Sequence, residues 1–583
     1  MTCWYFPAVL LLVVLAGLPR GSAFAQTVVP QAPESTGTPQ LPLQENQPPS
    51  LQPQPVPQPP PPLPRPDELL RPSPQTPAAP QPVPGEVPTT IRVDRFEVFG
   101  STVFTPEELA VVTAPFTNRD ITFAQLLQAR SAVTQLYVWE GYITSGAIIP
   151  PQALEAGVVT IQVIEGSLES IDISGLTRLS PSYVRDRLEL AAQTPLNVNR
   201  LLEGLQLLQL NPLIQSISAD LQAGVRPGTS VLAVQVTEAD SFNTTLSIDN
   251  GRSPSVGSFR RQVELTQANL LGFGDGLNVG YGNTNGSNTL NATYTLPLNP
   301  RNGTLQLAIG FSDSRVIEEP FDELEISATS HYYELTFRQP LSQTPTEEFA
   351  LGLTASRQES QTELGIDDIG PFRLSPGADA AGRTRVSAVR FFQEWTQRNS
   401  QQVIAARSQF SLGLDLLDAT VNNDAPDSRF LAWRGQGQWV RLLAPDALLL
   451  VRGDVQLADS ALVPLEQFGL GGQQSVRGYR QDALLTDNGA LLSAEVRLPI
   501  LRIPEWRGLL QLSPFIDVGA AWNSGDSPAP ESNALVGVGV GLLWRQGDRF
   551  SARLDWGIPL VSIDGGDSLQ ENGVYFSVIY SPF

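Results

Sequence analysis

The stretch Leu290-Asn-Ala-Thr-Tyr-Thr-Leu296 alternates apolar and polar side chains, and the same pattern recurs through most of residues 242–583. Successive side chains of a β-strand point to opposite faces, so this alternation predicts a strand with one apolar and one polar face. Phe242–Asp249, Leu305–Phe311 and Phe550–Trp556 repeat it. Helical periodicity is almost absent here, so the sequence predicts a large antiparallel sheet.

The length of this region helps to decide between a soluble sandwich and a membrane barrel. In a soluble sandwich the polar face meets outside water, whereas in an outer-membrane barrel the apolar face meets lipid and the polar face encloses a wet lumen. Residues 242–583 are long for one sandwich. At about 9–11 residues per tilted strand plus turns, they suit a barrel of roughly 16 strands, with about 14 or 18 also compatible. We predict a transmembrane antiparallel β-barrel over residues 241–583.

Aromatic residues and the C-terminus fit this barrel. Aromatics near predicted strand ends favour interfacial girdles, with scattered core aromatics as the alternative; they are Tyr332, Tyr333, Trp433, Trp439, Trp522 and Trp544. The terminal Phe583 follows an alternating stretch, and such an ending resembles the signal by which outer-membrane barrels are handed to their insertion machinery. Pro582 predicts that strand pairing stops a residue or two earlier.

Composition excludes several classes of function. All 37 basic residues are arginine and the net charge is −22, which argues against nucleic-acid binding. Without lysine, neither a P-loop nor a Schiff base is available. Cys3 is the only cysteine, so the mature chain would have no disulfide or thiolate site. His331 is expected at the membrane interface, and Asp367-Asp368 and Glu347-Glu348 in solvated loops, with calcium binding there as the alternative. We predict no enzyme, no cofactor and no metal.

The N-terminal part is divided by composition. Residues 1–25 carry the apolar run Ala8–Leu18 followed by Ala23-Phe24-Ala25, which predicts a secretory signal peptide. That run is far shorter than the roughly 20 residues of a membrane-spanning helix. Residues 26–90 contain 22 prolines, which predicts a disordered, extended linker. Within it, Asp67-Glu-Leu-Leu70 could form at most one helical turn.

Two small α+β modules are predicted between the linker and the barrel. In residues 91–166, Ile91–Phe99 alternates, Thr105-Pro-Glu-Glu108 has the form of a helix start, and a helix through Tyr137 ends at Gly141. Two strands, Tyr142–Ile149 and Val158–Ile164, follow. Residues 167–240 repeat the order strand, helix, helix, strand, strand, so tandem modules are expected.

The strongest candidate for a functional site is Phe468-Gly-Leu-Gly-Gly-Gln-Gln-Ser-Val-Arg-Gly-Tyr-Arg480. Its four glycines allow a tight fold that holds the Arg477 guanidinium in one place. In the later strand, Asp517 has the parity opposite to Ile516 and Val518, so it faces the lumen if those two face lipid. We therefore expect an inward-folded loop held by an Arg477–Asp517 salt bridge. The alternative is an exposed Arg477 and a solvated Asp517.

Motifs in three regions resemble those of two-partner secretion transporters of the hemolysin secretion/activation type. Tyr137-x-x-x-Gly-Tyr142 and Gly157–Gly166, with Ile148-Ile-Pro-Pro-Gln152 between them, look like the family's first POTRA domain, and Gly228–Glu238 looks like the end of its second. Leu470-Gly-Gly472 with Val476-Arg-Gly-Tyr479 is similar to the sixth-loop motif, and Phe515-Ile-Asp-Val-Gly519 to the strand that receives its arginine.

The resemblance implies two periplasmic POTRA domains and a 16-stranded barrel in the outer membrane of a Gram-negative-type cell. It implies export of an unfolded TpsA-type exoprotein without ATP, contact with outer-membrane lipid and lipopolysaccharide, and insertion by the barrel-assembly machinery. In that family an N-terminal helix also plugs the barrel, but the Pro-rich stretch offers no convincing long helix. The alternatives are a BamA-like barrel insertase and a passive porin.

Overall fold

The computed structural model describes residues 47–57, 64–72, 90–153, 157–424, 426–525, 529–530, 532–563 and 565–583. The predicted signal peptide lies outside these ranges, and the predicted linker lies only partly within them. Within the described residues, no helix is both long and apolar enough to cross a membrane.

The described helices lie in the N-terminal half of the chain: α1 Pro66–Leu69, α2 Pro106–Thr113, α3 Phe123–Trp139, α4 Pro181–Ala191 and α5 Val198–Gln209. The strands of the same half are β1 Leu70–Pro72, β2 Ile91–Val93, β3 Arg95–Phe99, β4 Arg119–Ile121, β5 Gly146–Ile148, β6 Val158–Ile164, β7 Ser167–Ser174, β8 Ile214–Ala223 and β9 Thr229–Glu238.

The C-terminal half is made of strands. They are β10 Phe242–Asp249, β11 Arg260–Ala268, β12 Gly276–Asn283, β13 Ser287–Pro297, β14 Thr304–Arg315, β15 Ile326–Gln343, β16 Glu347–Leu364, β17 Gly370–Pro371, β18 Arg383–Arg398, β19 Gln402–Leu414, β20 Leu431–Ala444, β21 Ala447–Ala458, β22 Phe468–Leu470, β23 Leu484–Thr486, β24 Asn488–Ile503, β25 Gly508–Trp522, β26 Ala534–Gln546, β27 Phe550–Pro559 and β28 Val574–Tyr580.

The first module packs α2 and α3 against a small sheet. Strand β6 pairs in parallel with β3 and antiparallel with β5. Thr105 and Glu108 form a reciprocal capping box that satisfies free N–H groups at the start of α2. After α3, Gly141 adopts a φ of 89°, which favours glycine. The backbone N–H of Tyr142 then bonds to the carbonyl of Tyr137 at 2.8 Å. The strand predicted over Tyr142–Ile149 is therefore only partly correct, because it is formed by Gly146–Ile148 alone.

The described residues of the second module have the order β7, α4, α5, β8, β9, without a strand between the two helices. The order in its sheet is β1, β8, β9, β7, and β1 is an edge strand that pairs in parallel with β8. Leu69 and Leu70 are buried in the module's core, beside Leu205 and Leu221. Part of the Pro-rich region thus supplies an edge strand of this module.

A second part of the Pro-rich region lies inside the barrel. Arg434 donates to the carbonyl of Leu51 at 2.6 Å, and Gln438 donates to that of Gln54 at 2.7 Å. Ser50 hydrogen-bonds to the carboxylate of Glu334. The prediction of a disordered linker was therefore wrong for residues 47–57 and 64–72, because inward-facing side chains of the barrel and the edge of a sheet satisfy their backbone groups. Residues 47–57 contain no helix, so they differ from a helical plug.

Sixteen strands close the barrel. Each pairs antiparallel with its neighbour, β22 and β23 form a separate hairpin, and the two-residue β17 adds only a short pairing on β16 beside β18. Closure is made by β10 and β28, with Leu246–Asp249 opposite Ser577–Tyr580. Closure satisfies the backbone polar groups that lipid cannot satisfy. The sequence-based fold, α+β modules followed by a transmembrane barrel of about 16 strands, is confirmed.

The alternating apolar and polar residues of the strands form the outer and the inner surface of the barrel, respectively. Leu290, Leu307 and Phe311 are exposed on the outside, whereas Asn291 and Thr293 line the lumen. Tyr332 departs from the prediction of an interfacial girdle. It is 3% exposed and its hydroxyl donates to Asn291 at 3.3 Å, because its position in β15 has the inward parity.

A pair of neighbouring substitutions tests this orientation. Leu290→Arg should lower the free energy of unfolding by roughly 2–4 kcal/mol, because it places a charge in lipid near the middle of β13. Asn291→Arg, one position along, should cost much less because its side chain enters a wet lumen. Urea unfolding of the two variants in lipid vesicles measures the difference. Equal losses would contradict the assignment of the faces.

Candidate functional site in the barrel lumen

Residues 459–487, between β21 and β24, fold back into the barrel, and we call them the luminal loop. Strands β22 and β23 pair as a hairpin, which holds the two arms of the loop side by side. Beyond it, Gly471 and Gly472 adopt φ values of 110° and 98°, which favour glycine. A Cβ at Gly471 would lie 2.4 Å from the carbonyl oxygen of Arg480, so the two sides of the tip approach as only glycine allows. The tip presents Val476-Arg-Gly-Tyr479 to the wall.

Arg477 is held by the wall through several bonds at once. Its Nε donates to Asp517 Oδ2 at 2.8 Å, its Nη2 to Oδ1 at 3.0 Å, and its backbone N–H to Oδ2 at 3.1 Å. Its guanidinium lies over the ring of Phe515, 3.4 Å from the ring centroid. The Arg477 side chain is 3% exposed and that of Asp517 is 0% exposed. The structure thus brings together the loop arginine and the wall carboxylate that the sequence singled out.

Further charged residues surround this pair. Arg477 Nη1 donates to Glu495 on β24 at 2.8 Å and lies 4.0 Å from Asp555 on β27. Arg553 bridges the same two acids, at 2.7 Å from Glu495 and 2.6 Å from Asp555. Arg497 donates to Glu495 at 2.7 Å. The three arginines and three carboxylates joined by these contacts therefore carry no net charge. Neutrality matters here because buried charges are costly unless they are paired.

Glycines on the wall let the loop tip approach the sheet. A Cβ at Gly537 on β26 would lie 1.9 Å from the carbonyl oxygen of Arg477, and one at Gly557 on β27 would lie 2.7 Å from the backbone nitrogen of Gly478. At Gly519 on β25, it would lie 3.0 Å from Val476. Each of three adjacent strands thus has a glycine where the backbone of the tip comes close to the wall.

Two tyrosines fix the backbone next to Arg477. The hydroxyl of Tyr575 on β28 donates to the carbonyl of Tyr479 and accepts the N–H of Gly478 at 2.9 Å. The hydroxyl of Tyr479 lies 2.9 Å from the carbonyl oxygen of Val536 and 3.0 Å from that of Val561. The tip is therefore hydrogen-bonded to β26 and β28 as well as to β25.

Sequence reasoning missed several members of this site: Glu495, Arg497, Gly537, Arg553, Asp555, Gly557 and Tyr575. A signal for the charged ones was present, because Glu495, Arg553 and Asp555 occupy polar positions of alternating strands. Nothing in one sequence indicates that β24, β25 and β27 direct those positions to the same point. That convergence depends on the stagger of the strands around the barrel.

The C-terminal Phe583 lies apart from this cluster. It is 73% exposed and its ring contacts that of Phe242, with centroids 6.3 Å apart. Strand β28 ends at Tyr580, before Pro582. Its predicted role in insertion stays a prediction.

Within the described residues, no group of three His, Cys, Asp or Glu side chains is placed to hold a metal ion. The carboxylates of the luminal cluster are engaged by arginines. The arrangement can therefore hold a loop across a polar conduit, and its chemistry is that of paired charges and backbone hydrogen bonds. Together with the closed barrel and the tandem α+β modules, it defines the class of outer-membrane barrels that carry POTRA domains and an inward-folded loop.

Comparison with known proteins specifies this class. The sequence profile of the haemolysin secretion/activation proteins ShlB/FhaC/HecB matches residues 228–543, and that of the ShlB-type POTRA domain matches residues 91–166. The chain belongs to the ShlB/FhaC/HecB haemolysin secretion/activation family. The sequence-based assignment to the two-partner secretion transporters is thereby confirmed, as is the outer-membrane location with periplasmic POTRA domains.

Individual relatives are similar in sequence to this protein over most of its length. The heme/hemopexin transporter protein HuxB of Haemophilus influenzae strain 86-028NP is 23% identical over 490 residues, which cover 80% of this chain and 82% of that protein. The outer membrane transporter CdiB of Escherichia coli O6:K15:H31 is 24% identical over 514 residues, covering 85% and 82%. The solved structure of CdiB from Escherichia coli has the same fold, with a TM-score of 0.65 at 22% identity over 86% of this chain and 92% of that one.

Gly537 provides a test of how the loop tip is seated. Gly537→Ala should displace the tip, because the added methyl group would overlap the carbonyl of Arg477. Channel conductance of the purified protein in planar bilayers should rise as the loop withdraws. Gly437→Ala on β20 is the matched control, since a Cβ there meets nothing within 4 Å. Conductance that rises equally in both variants would contradict this account of the wall glycines.

Proposed function

We propose that this transporter captures an unfolded exoprotein on its POTRA domains and passes it through the barrel to the cell surface without ATP. The observation that supports this proposal most directly is a polar lumen occupied by two segments of the chain itself, the luminal loop and residues 47–57. A passive porin has no evident use for a loop held by a neutral cluster of six charged side chains. Membership of a secretion family favours export over barrel insertion.

The POTRA domains are proposed to recognise the cargo as an extended chain. A strand added to an exposed sheet edge gains main-chain hydrogen bonds with little demand on sequence. In the second domain the edge of β8 is already paired with β1 of the same chain. In the first domain β5 forms an edge of its sheet and has β6 as its partner on the other side. We therefore infer that β5 offers an edge for the first contact with cargo.

The lumen is proposed to open by movement of the two segments that occupy it. Residues 47–57 are held to the inward-facing polar wall by hydrogen bonds, and the luminal loop is held by hydrogen bonds and ion pairs. Such contacts can be exchanged for water or for cargo. The chain has no lysine and therefore no P-loop. Folding of the exoprotein outside the cell is proposed to bias the direction of transport. The exoprotein, outer-membrane lipid with lipopolysaccharide, and the barrel-assembly machinery are the partners proposed for this chain.

The experiment that tests the function is secretion of a partner. The chain is expressed with a candidate exoprotein drawn from the genes adjacent to its own, and the medium is assayed for that exoprotein. Secretion that depends on this chain supports the proposal, whereas secretion in its absence argues against it. Rescue of barrel assembly in a strain depleted of its insertase would instead favour an insertase.

The Arg477–Asp517 pair is expected to be required for export. Arg477→Ala or Asp517→Ala should leave the barrel folded, as judged by heat-modifiable migration in gels, but reduce the amount of secreted exoprotein. Each change removes one charge from the buried cluster and leaves the rest unbalanced, at a cost of up to roughly 3–5 kcal/mol. Wild-type export in both variants would exclude the pair as a working part. Arg507→Ala, at an exposed ion pair, is the matched control.

The N-terminal segment in the lumen is expected to restrict ion flow. Deletion of residues 47–57 should raise channel conductance in planar bilayers, because it removes the segment whose backbone carbonyls Arg434 and Gln438 hold inside the lumen. The double change Arg434→Ala and Gln438→Ala should act in the same direction. If the deletion leaves conductance unaltered, the segment does not close the channel.

A further inference from the structure

A second buried ion pair lies at the base of the luminal loop. Glu466, which ends the short helical turn Pro464–Glu466, accepts a hydrogen bond from Nη2 of Arg390 at 2.6 Å. The Arg390 side chain is 0% exposed and that of Glu466 is 3% exposed. Among the described residues, Glu466 is the one carboxylate with which Arg390 forms an ion pair. The pair is therefore desolvated to the same degree as Arg477–Asp517.

The surroundings of this pair are built to hold it. Ser356 on β16 accepts from Nη1 of Arg390 at 3.1 Å, and Gln358 donates to Glu466 at 3.4 Å. Gln456 on β21 donates to the backbone carbonyl of Glu466 at 2.9 Å. Beside it, apolar residues of the loop pack against the wall in a cluster that includes Leu462, Val463, Leu465, Val386, Ala388, Phe430 and Ala432. The base of the loop is thus fixed by charge, hydrogen bonds and apolar contact.

The two ion pairs hold different sides of the barrel. Arg390 lies on β18 and Asp517 on β25, and the strands β19, β20, β21 and β24 lie between them in the barrel order. Along the loop, Glu466 precedes β22 and Arg477 follows it. The loop is therefore attached to two parts of the wall, at its base before β22 and at its tip between β22 and β23.

We propose that the Glu466–Arg390 pair is a second attachment of the luminal loop, which positions the tip so that Arg477 meets Asp517. This inference rests on the proposed secretion function, because it assigns to Glu466 and Arg390 a role in the same gate. They are positioning residues, and they act on export through the tip. Because the base of the loop is fixed against β16 and β18, the hairpin can place its tip at only a few positions along the wall. Without this attachment the base of the loop is mobile, and Arg477 contacts Asp517 less often.

The test follows the tip and export separately. With Cys3, the only cysteine of the sequence, replaced by serine, Gln474→Cys near the tip carries a single nitroxide label in the full-length protein in lipid vesicles. Glu466→Gln should make the label more mobile in its electron paramagnetic resonance spectrum. It should also lower the amount of secreted exoprotein about tenfold, because it leaves the Arg390 charge buried without its partner. Exchange of the two residues, Arg390→Glu with Glu466→Arg, should restore both readouts in part.

Controls keep the proposal open to refutation. Arg502→Gln removes an ion pair that is about half exposed and should change neither readout. Ser356→Ala removes only the hydroxyl that holds Arg390, so it serves if Glu466→Gln does not fold, and it should mobilise the label less. A label that stays immobile in both Glu466→Gln and Ser356→Ala overturns the proposal, even if export falls. If the unaltered chain secretes nothing, the proposed function fails, while the label still tests the attachment.

Discussion

The fold depends on one constraint, which is that lipid offers no hydrogen bonds to a backbone. A sheet in a membrane has to close on itself, and closure sorts every alternating strand into a face toward lipid and a face toward the lumen. The structure meets this constraint with sixteen strands and a seam between β10 and β28. All other features of the barrel half follow from the interior that closure creates.

That interior is wide and polar, and the chain fills part of it with its own segments. The luminal loop and residues 47–57 enter from different parts of the sequence, and inward-facing arginines and amides bond to both. The loop brings Arg477 and Glu466 into contact with wall residues of opposite charge, and the glycines of β25, β26 and β27 let its backbone lie close to the wall. Arg477 and Glu466 each have a buried partner of opposite sign, as the cost of burying an unpaired charge requires. The loop is held firmly by contacts that are individually exchangeable, which suits a gate.

The N-terminal region connects the two halves of the molecule. Its residues 70–72 extend the sheet of the second α+β module, and its residues 47–57 lie among the strands of the barrel. Proline-rich sequence is compatible with both places, because neither requires a regular hydrogen-bonded ladder along the whole segment. Composition alone suggests an unstructured spacer, because each proline lacks a backbone N–H donor. Composition does not show that the folded protein provides side chains and a sheet edge that bind the remaining backbone groups.

The sequence alone determined the class of fold, because a period of two residues over some 340 positions is a local property. It also pointed to Arg477 and Asp517, through the glycines around the one, the strand parity of the other and the resemblance of both motifs to those of a transporter family. Only the tertiary structure decided that Glu495, Arg553 and Asp555 join them and that Arg390 receives Glu466. It likewise placed Tyr332 in the lumen and gave Leu70–Pro72 a sheet edge to pair with. These contacts join residues far apart in sequence, and they depend on barrel closure and strand stagger, which no local pattern records.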